Sequence, residues 1–376
     1  MILSGQESTM KPADSRSGRR MNAQQITRVI RGWIVEGRYG PGERVPDREA
    51  CIAEFGASNK TVQKAFDRLI MEGFVRPRGR LGTFVTDRPP HLHRVAMVFR
   101  ETPAKSRFWL TLEQAALEVV RTKGMDLTIF VVRDEESREH ARLLEAVRTR
   151  TLSGMIVANP TEEFRTLPLL QSPGVPVVGI SARPMPPHTR VVYPDSAAFV
   201  TRAMKYFAER KRTRVAMLVA MKPPDSDVYV PRLMKAHGIR PWLMQFGDPN
   251  NPMAVRHQMR LMMRMRRQDR PNALIIQDDN VAEAATTALA EEKVRIPDDL
   301  EVICHCNFPN PPPCFVPVVR LGFDCREIVE WCLRALRLPR QESATDEVEL
   351  LPPRFEHELV RSGGFEHKEA SDWRLG

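Results

Sequence analysis

Between positions 58 and 64 the chain sets out short polar and cationic side chains in close order: Ser58, Asn59, Lys60, Thr61, Gln63 and Lys64. Amide and ammonium groups clustered at the start of a helix suit the edges of base pairs and the phosphates beside them. A little further on, Arg76, Arg78 and Arg80 alternate through a turn containing Pro77 and Gly79. That pattern puts guanidinium groups in or beside a hairpin tip, where they can straddle a phosphate backbone. Arg48 adds a cation upstream. The plainer alternative is a polar helix face followed by a solvated hairpin.

Two other constellations carry reactive residue types. Cys304, His305 and Cys306, with Cys314 and Cys325, are soft metal ligands at close spacing, and on a strand Cys304 and Cys306 point the same way. The paired spacing of zinc sites is missing, so these thiols are expected to be small core residues, with neither a metal nor a disulfide. Arg256, Arg260, Arg264 and Arg267 form a basic stripe on a Met-rich helix, expected to be a solvated face with Met259, Met262 and Met263 packed inward. No GxSxG, HExxH, Walker loop or GxGxxG occurs, so no catalytic residue or cofactor is expected and the chain is not read as an enzyme.

The polar group at 58–64 needs a helix to display it. Val62, Ala65, Phe66, Leu69 and Ile70 recur at three- and four-residue steps and make one apolar stripe. Ser58 can cap this helix, and Gly73 can end it. Asp47 can cap a preceding helix that turns Ile52 and Phe55 inward, and Gly56-Ala57 is short enough to force a sharp angle, which makes a helix-turn-helix. Phe74-Val75-Arg76 and Thr83-Phe84-Val85 read as the two strands of the hairpin. Upstream, Ile26, Val29, Ile30, Trp33 and Ile34 give an amphipathic helix opened by Asn22 and closed by Gly37.

At this point residues 21–87 resemble the winged helix of GntR-type bacterial transcription regulators. The pattern of amphipathic helix, turn-rich loop, helix-turn-helix and wing stands here as GRYGPGERVP and GRLGTFV. The resemblance implies a double-stranded DNA operator as partner. Where that family places DNA-contacting arginines, this chain has Glu49, Asn59 and Gln63, with Arg48, Lys60 and Lys64 one position away.

The 376 residues, 42% hydrophobic, allow two or three domains. Lys and Arg total 57 against 47 Asp and Glu. Residues 1–90 hold 16 basic and 10 acidic side chains, an excess that suits a polyanionic partner. The apolar runs are interrupted too early for a membrane span, and residues 1–20 read as a flexible polar tail without a signal-peptide core, so a cytoplasmic protein is expected. Arg88-Pro89-Pro90-His91 closes the first module, making 88–93 a linker.

Beyond it, short apolar runs alternate with amphipathic ones. Strands are expected at 94–99, 127–132, 154–158, 175–180, 215–219, 273–276, 301–304 and 316–321, and helices near 109–123, 135–149, 195–210, 252–267, 279–292 and 325–336. This rhythm predicts an α/β fold of parallel sheets in two lobes, with ligands beyond the carboxyl ends of the strands. Residues 94–363 are similar to the effector domain of LacI-type repressors, which shares its fold with periplasmic binding proteins. The landmarks are Phe108-Trp109, the run from Leu152 to Val157, Val191-Val192-Tyr193-Pro194-Asp195, the segment from Arg270 to Asn280, and that from Ile296 to Ile303.

Winged helix plus this domain resembles arabinose-type repressors. That arrangement implies a homodimeric repressor with a small, sugar-like effector in the interlobe cleft, touched by Phe108, Asn159, Asp195 and Asp279. An arginine of that family is missing near Asp225-Ser226-Asp227. The competing reading is a cytosolic solute-binding or scaffolding protein with a degenerate winged helix. Residues 364–376 read as a C-terminal tail.

Overall fold

The computed structural model describes residues 20–160, 162–171, 174–183, 185–186, 189–220, 226–338 and 348–361. It forms two compact units, one built on the chain up to His93 with Arg148–Ser153, the other on Arg94–Val147 and the chain from Gly154 on. The expected linker 88–93 thus counts with the first unit and includes a short helix. The proposed tails at 1–20 and 364–376 lie outside the described residues except for Arg20.

In the first unit α1 (Ala23–Val35) starts at Asn22, whose side chain accepts the Gln25 amide while Gln25 reaches back to the Asn22 amide. This reciprocal capping box satisfies two amides that a helix start otherwise leaves open. Asp47 caps α2 (Arg48–Phe55), and Gly56 ends it in the left-handed region at φ 59°. Ser58 caps α3 (Asn59–Met71). The wing is β1 (Val75–Pro77) paired antiparallel with β2 (Thr83–Val85), Arg76 opposite Phe84. α4 (Pro90–His93) closes the unit.

Ile26, Ile30, Val62, Ala65, Phe66, Leu69 and Phe74 are buried together in its core. Each of the larger side chains contributes about 2 to 3 kcal/mol by leaving water. Ile70, expected in this stripe, is exposed instead. Periodicity names a face, but coverage depends on where the partner helix ends.

The second unit runs β3 (Arg94–Phe99), α5 (Arg107–Thr122), β4 (Asp126–Val131), α6 (Arg138–Arg148), β5 (Gly154–Ala158), α7 (Glu162–Arg165), α8 (Pro168–Gln171), β6 (Val177–Ile180) and β7 (Arg190–Pro194). Then come α9 (Ser196–Glu209), β8 (Arg214–Val219), α10 (Ser226–Ala236), β9 (Arg240–Phe246), α11 (Pro252–Met263), β10 (Ala273–Ile276), α12 (Ala282–Glu291) and β11 (Glu301–Phe308). The chain ends with β12 (Val319–Asp324), α13 (Cys325–Ala335), β13 (Val348–Leu351), β14 (Arg354–Phe355) and α14 (Glu356–Arg361).

Among the described residues these strands form two six-stranded sheets, ordered β13-β7-β6-β5-β3-β4 and β14-β12-β11-β10-β8-β9. All neighbours are parallel except β12 and β14. The chain passes from the first sheet to the second between β7 and β8, returns after β12 into α13, and crosses again between β13 and β14. Three crossings side by side are the construction of a hinged two-lobed fold.

Strands β7, β9, β13 and β14 were not expected, and β11 continues four residues past the expected end at Cys304. His305 and Asn307 broke the apolar run, yet parallel pairing with β12 carries on from Cys306 opposite Gly322 to Phe308 opposite Asp324. The strand expected at 316–321 starts only at Val319, after Pro317, which has no amide to donate to a ladder.

Candidate DNA-contacting surface and ligand cleft

The first turn of α3 is held by Ser58, whose hydroxyl accepts the Thr61 amide at 3.2 Å and lies 2.8 Å from the Thr61 hydroxyl. Capping therefore occupies both hydroxyls. Asn59, Lys60 and Lys64 are exposed, and so is Arg48 at the start of α2. Gln63 is half-buried and donates one amide hydrogen to Asp67 Oδ1 at 2.5 Å, which leaves its second N–H and its carbonyl oxygen to meet a base edge.

The wing rests on the turn-rich loop before α2. Arg44 bridges to Phe84 on the edge of β2. Gly82 stands at φ 110°, a backbone conformation that residues with a side chain rarely adopt. This accounts for the glycine of the GTFV run. Arg80 is exposed at the tip, whereas Arg76 and Arg78 turn to the carboxylate of Asp87, at 2.5 and 3.8 Å. Arg78 also lies over the Phe84 ring at 4.8 Å.

Behind this surface, Arg31 of α1 and Glu72 at the end of α3 form a buried ion pair at 2.5 Å, with Arg68 on the same carboxylate at 2.9 Å. The Arg31 guanidinium lies 5.7 Å from the Phe74 ring. The pair ties α1, α3 and the start of the wing together, which sets the angle at which α3 is presented.

In the second unit the four expected effector residues sit where strands end or helices begin. Phe108 is half-buried at the start of α5, edge-on to Trp109 at 4.6 Å. Asn159 is exposed after β5 in a left-handed conformation, φ 47°. Asp195 caps α9, accepting the Ala198 amide at 2.8 Å. Asp279 is buried just after β10.

Asp279 faces an arginine of the other lobe. It accepts the Asn307 amide at 2.7 Å and lies 3.7 Å from Arg107 Nε. Arg107, the neighbour of Phe108, spans the lobes: its backbone amide donates to Asn280 Oδ1 at 3.0 Å and its Nη2 to the carbonyls of Asn310 and Pro311 at 3.4 and 3.2 Å. Asn310 in turn donates to Gln114 of α5.

Burial pushes the Asp279 carboxyl above the usual range, against the pull of His305 and the Asn307 amide. His305, packed against Phe199 and Phe323 at 5.3 and 5.6 Å, is pushed below the usual imidazole range by desolvation, against the opposing pull of Asp279. Among the described residues Asn307 Oδ1 and His305 Nδ1 are buried with no hydrogen-bond partner. Native interiors rarely leave such atoms bare, so the cleft is chemically suited to a ligand that brings donors of its own.

Arg107 and Asn307 were not singled out in the sequence, and His305 was weighed only as a metal ligand beside Cys304 and Cys306. For His305 and Asn307 the signal was present in polar residues interrupting an apolar strand. The cluster at 225–227 lies outside the described residues as to its side chains.

The six cysteines are free, and five are buried in the cores. The arginine stripe of α11 is not a bare solvated face: Arg256 and Arg260 pair with Glu291, and Arg264 pairs with Glu292 at 2.8 Å. Met259, Met262 and Met263 are buried beneath it.

Residues 22–85 match the bacterial regulatory proteins of the gntR family, and residues 204–356 match the periplasmic binding protein-like domain. Over 299 residues the chain is 22% identical to the arabinose metabolism transcriptional repressor of Geobacillus stearothermophilus, covering 76% of this chain and 81% of that one. Its counterpart from Halalkalibacterium halodurans is 22% identical over 341 residues, 84% of this chain and 90% of that one.

A LacI family transcriptional regulator from Lactobacillus casei, solved with bound sucrose, shares the fold at a TM-score of 0.52 and 18% identity, covering 70% of this chain and 98% of that one. These matches are to transcription regulators, not enzymes. The chain is a gntR-type helix-turn-helix domain joined to a periplasmic-binding-protein-like domain, homologous to the arabinose metabolism transcriptional repressors.

Proposed function

We propose that this protein is a cytoplasmic, sequence-specific DNA-binding repressor that acts as a homodimer and is controlled by a small polyol in the interlobe cleft. The observation that carries the reading is the display on α3: Asn59, Lys60 and Lys64 stand free in its first two turns, with Arg80 exposed at the tip of the wing. Asn59 and Gln63 take the base edges, while Arg48, Lys60, Lys64, Arg76, Arg78 and Arg80 take phosphates. Ser58 and Thr61 fix the helix start. Two copies double the phosphate contacts and set a half-site spacing of about one helical turn. Selection of bound duplexes from a random pool tests this directly; a pool that returns no enriched sequence defeats it.

Phe108, Asn159, Asp195 and Asp279 are the proposed effector contacts, joined by Asn307. Asp279 and the bare Asn307 Oδ1 are acceptors, and a buried acceptor calls for a hydroxyl donor. The relatives' names mention arabinose metabolism, and one structural neighbour holds sucrose, which supports a sugar-like ligand. Titrating arabinose and related polyols into a protein–operator mixture should shift both affinities by the same factor. A polyol that binds the second unit yet leaves DNA affinity unchanged rules out the coupling.

A further inference from the structure

We propose that Asp87 is a specificity-determining residue of the DNA-binding unit, an internal stand-in for a phosphate that keeps Arg76 and Arg78 paired until a correctly placed phosphate displaces it. This rests on the DNA-binding reading above. Asp87 Oδ2 lies 2.5 Å from Arg76 Nη2 and its Oδ1 lies 3.8 Å from Arg78 Nη2. The two arginines sit on the wing face around Phe84, which is opposite Arg76 in the hairpin and under the Arg78 guanidinium. Arg44, whose backbone bridges to Phe84, has a carboxylate of its own, Asp47, at 3.7 Å. Asp87 remains largely exposed, so a ligand can reach the pair from solvent.

A carboxylate and a phosphodiester offer an arginine fork the same thing, one negative charge shared by two acceptor oxygens. Sequence-independent DNA binding comes almost wholly from phosphate contacts. With Asp87 in place, the wing base presents one net positive charge where two arginines would otherwise present two. A duplex lying loosely in the site therefore gains little from Arg76 and Arg78. A duplex whose base edges are engaged by α3 holds its phosphates in register and can replace the carboxylate. The residue lowers affinity for wrong sequences more than for the right one, which is discrimination by an unfavourable alternative.

The experiment uses the full chain and a fluorescently labelled mixed-sequence duplex of about 30 base pairs, followed by anisotropy across a salt series. Asp87→Asn is expected to tighten binding about five- to ten-fold near 0.1 M salt and to steepen the log–log salt slope by about 0.9 for each phosphate gained. Because the expected change is a gain, a variant that misfolds cannot imitate it.

In an R76A/R78A background the same Asp87→Asn change should do nothing, and a persistent gain there overturns the pairing mechanism. Equal affinity and slope for wild type and D87N, or weaker binding by D87N, overturns the proposal while leaving the regulator reading intact. If neither protein binds the duplex at any salt, both fall.

Discussion

Arg107, at the head of α5 in one lobe, lies 3.7 Å from the carboxylate of Asp279 at the end of β10 in the other. Its guanidinium also reaches two carbonyls beyond β11. One side chain thus bridges the cleft in which a ligand is proposed to bind. Arg107→Ala should lower the thermal midpoint of the second unit by about 2 to 4 °C. Arg107→Lys should recover only part of this, since an ammonium group lacks the planar fork. A midpoint unchanged in R107A would show that the bridge contributes nothing.

Asp279 gives a prediction about pH. Burial raises its folded pKa above the unfolded value near 3.8, so its contribution is most favourable below that value and is lost as pH rises through the folded pKa. At neutral pH the buried carboxylate is a liability kept for binding. Asp279→Asn, which retains an oxygen to accept from Asn307, should raise the midpoint by about 2 °C at pH 7 and lose that advantage near pH 4. Differential scanning calorimetry at both pH values decides it; a D279N variant less stable at pH 7 contradicts the assignment.

On the DNA side, lysines and asparagine should separate. Lys60→Ala and Lys64→Ala should each weaken binding to all duplexes alike and reduce the salt slope by about 1. Asn59→Ala should instead leave random-sequence affinity nearly unchanged and cost about 1 to 3 kcal/mol of discrimination at the base it reads. Equal losses on selected and random duplexes for N59A would remove Asn59 from the base-reading set.

The Arg31–Glu72 pair supports the presentation of α3 without touching its outer face. Glu72→Ala leaves Arg31 buried with its counter-charge gone, which costs about 3 to 5 kcal/mol. The first unit should lose a cooperative transition at lower denaturant, while the second unit unfolds as before. A winged helix of undiminished stability in E72A would mean that water or another acid replaces Glu72.

At Gly322 the constraint is steric. A Cβ there would fall 1.8 Å from the Cys306 carbonyl on the paired strand. Gly322→Ala should therefore prevent the second sheet from forming, seen as loss of its far-ultraviolet transition, whereas Gly37→Ala faces nothing within 4 Å and should cost only the strain of a left-handed residue.

Much of this was legible in order along the chain because the information is local. Asn22, Asp47 and Ser58 cap the helices they were expected to cap, and Gly37, Gly56 and Gly73 stand in left-handed turns at their ends. Caps and stripes are decided within one or two turns, so a neighbour list is enough to read them. The alternation of apolar strands and amphipathic helices likewise announced a parallel α/β domain.

Of the four unexpected strands, β7 is an interior one between β13 and β6, and the other three lie at sheet edges. β13 lies beside β7, with Val348 opposite Val191, across a long separation in sequence, and β9 and β14 are edge strands that pair on one side only. Their residues need not be apolar throughout, so no periodic signal marks them. Ile70 shows the converse, an apolar residue in the right phase that its partner helix does not cover.

By itself the sequence determined the longer helices other than α10, the capped starts of α1, α2 and α3, the positions of the wing arginines and the α/β rhythm, because each depends on residues a few positions apart. Tertiary structure alone decided which charges meet. It set Asp87 against Arg76 and Arg78, Glu72 under Arg31, and Arg107 across from Asp279 and Asn307. Charge pairing depends on distance in space, and the closing of a hairpin or of two lobes brings together groups whose separation along the chain carries no trace of it.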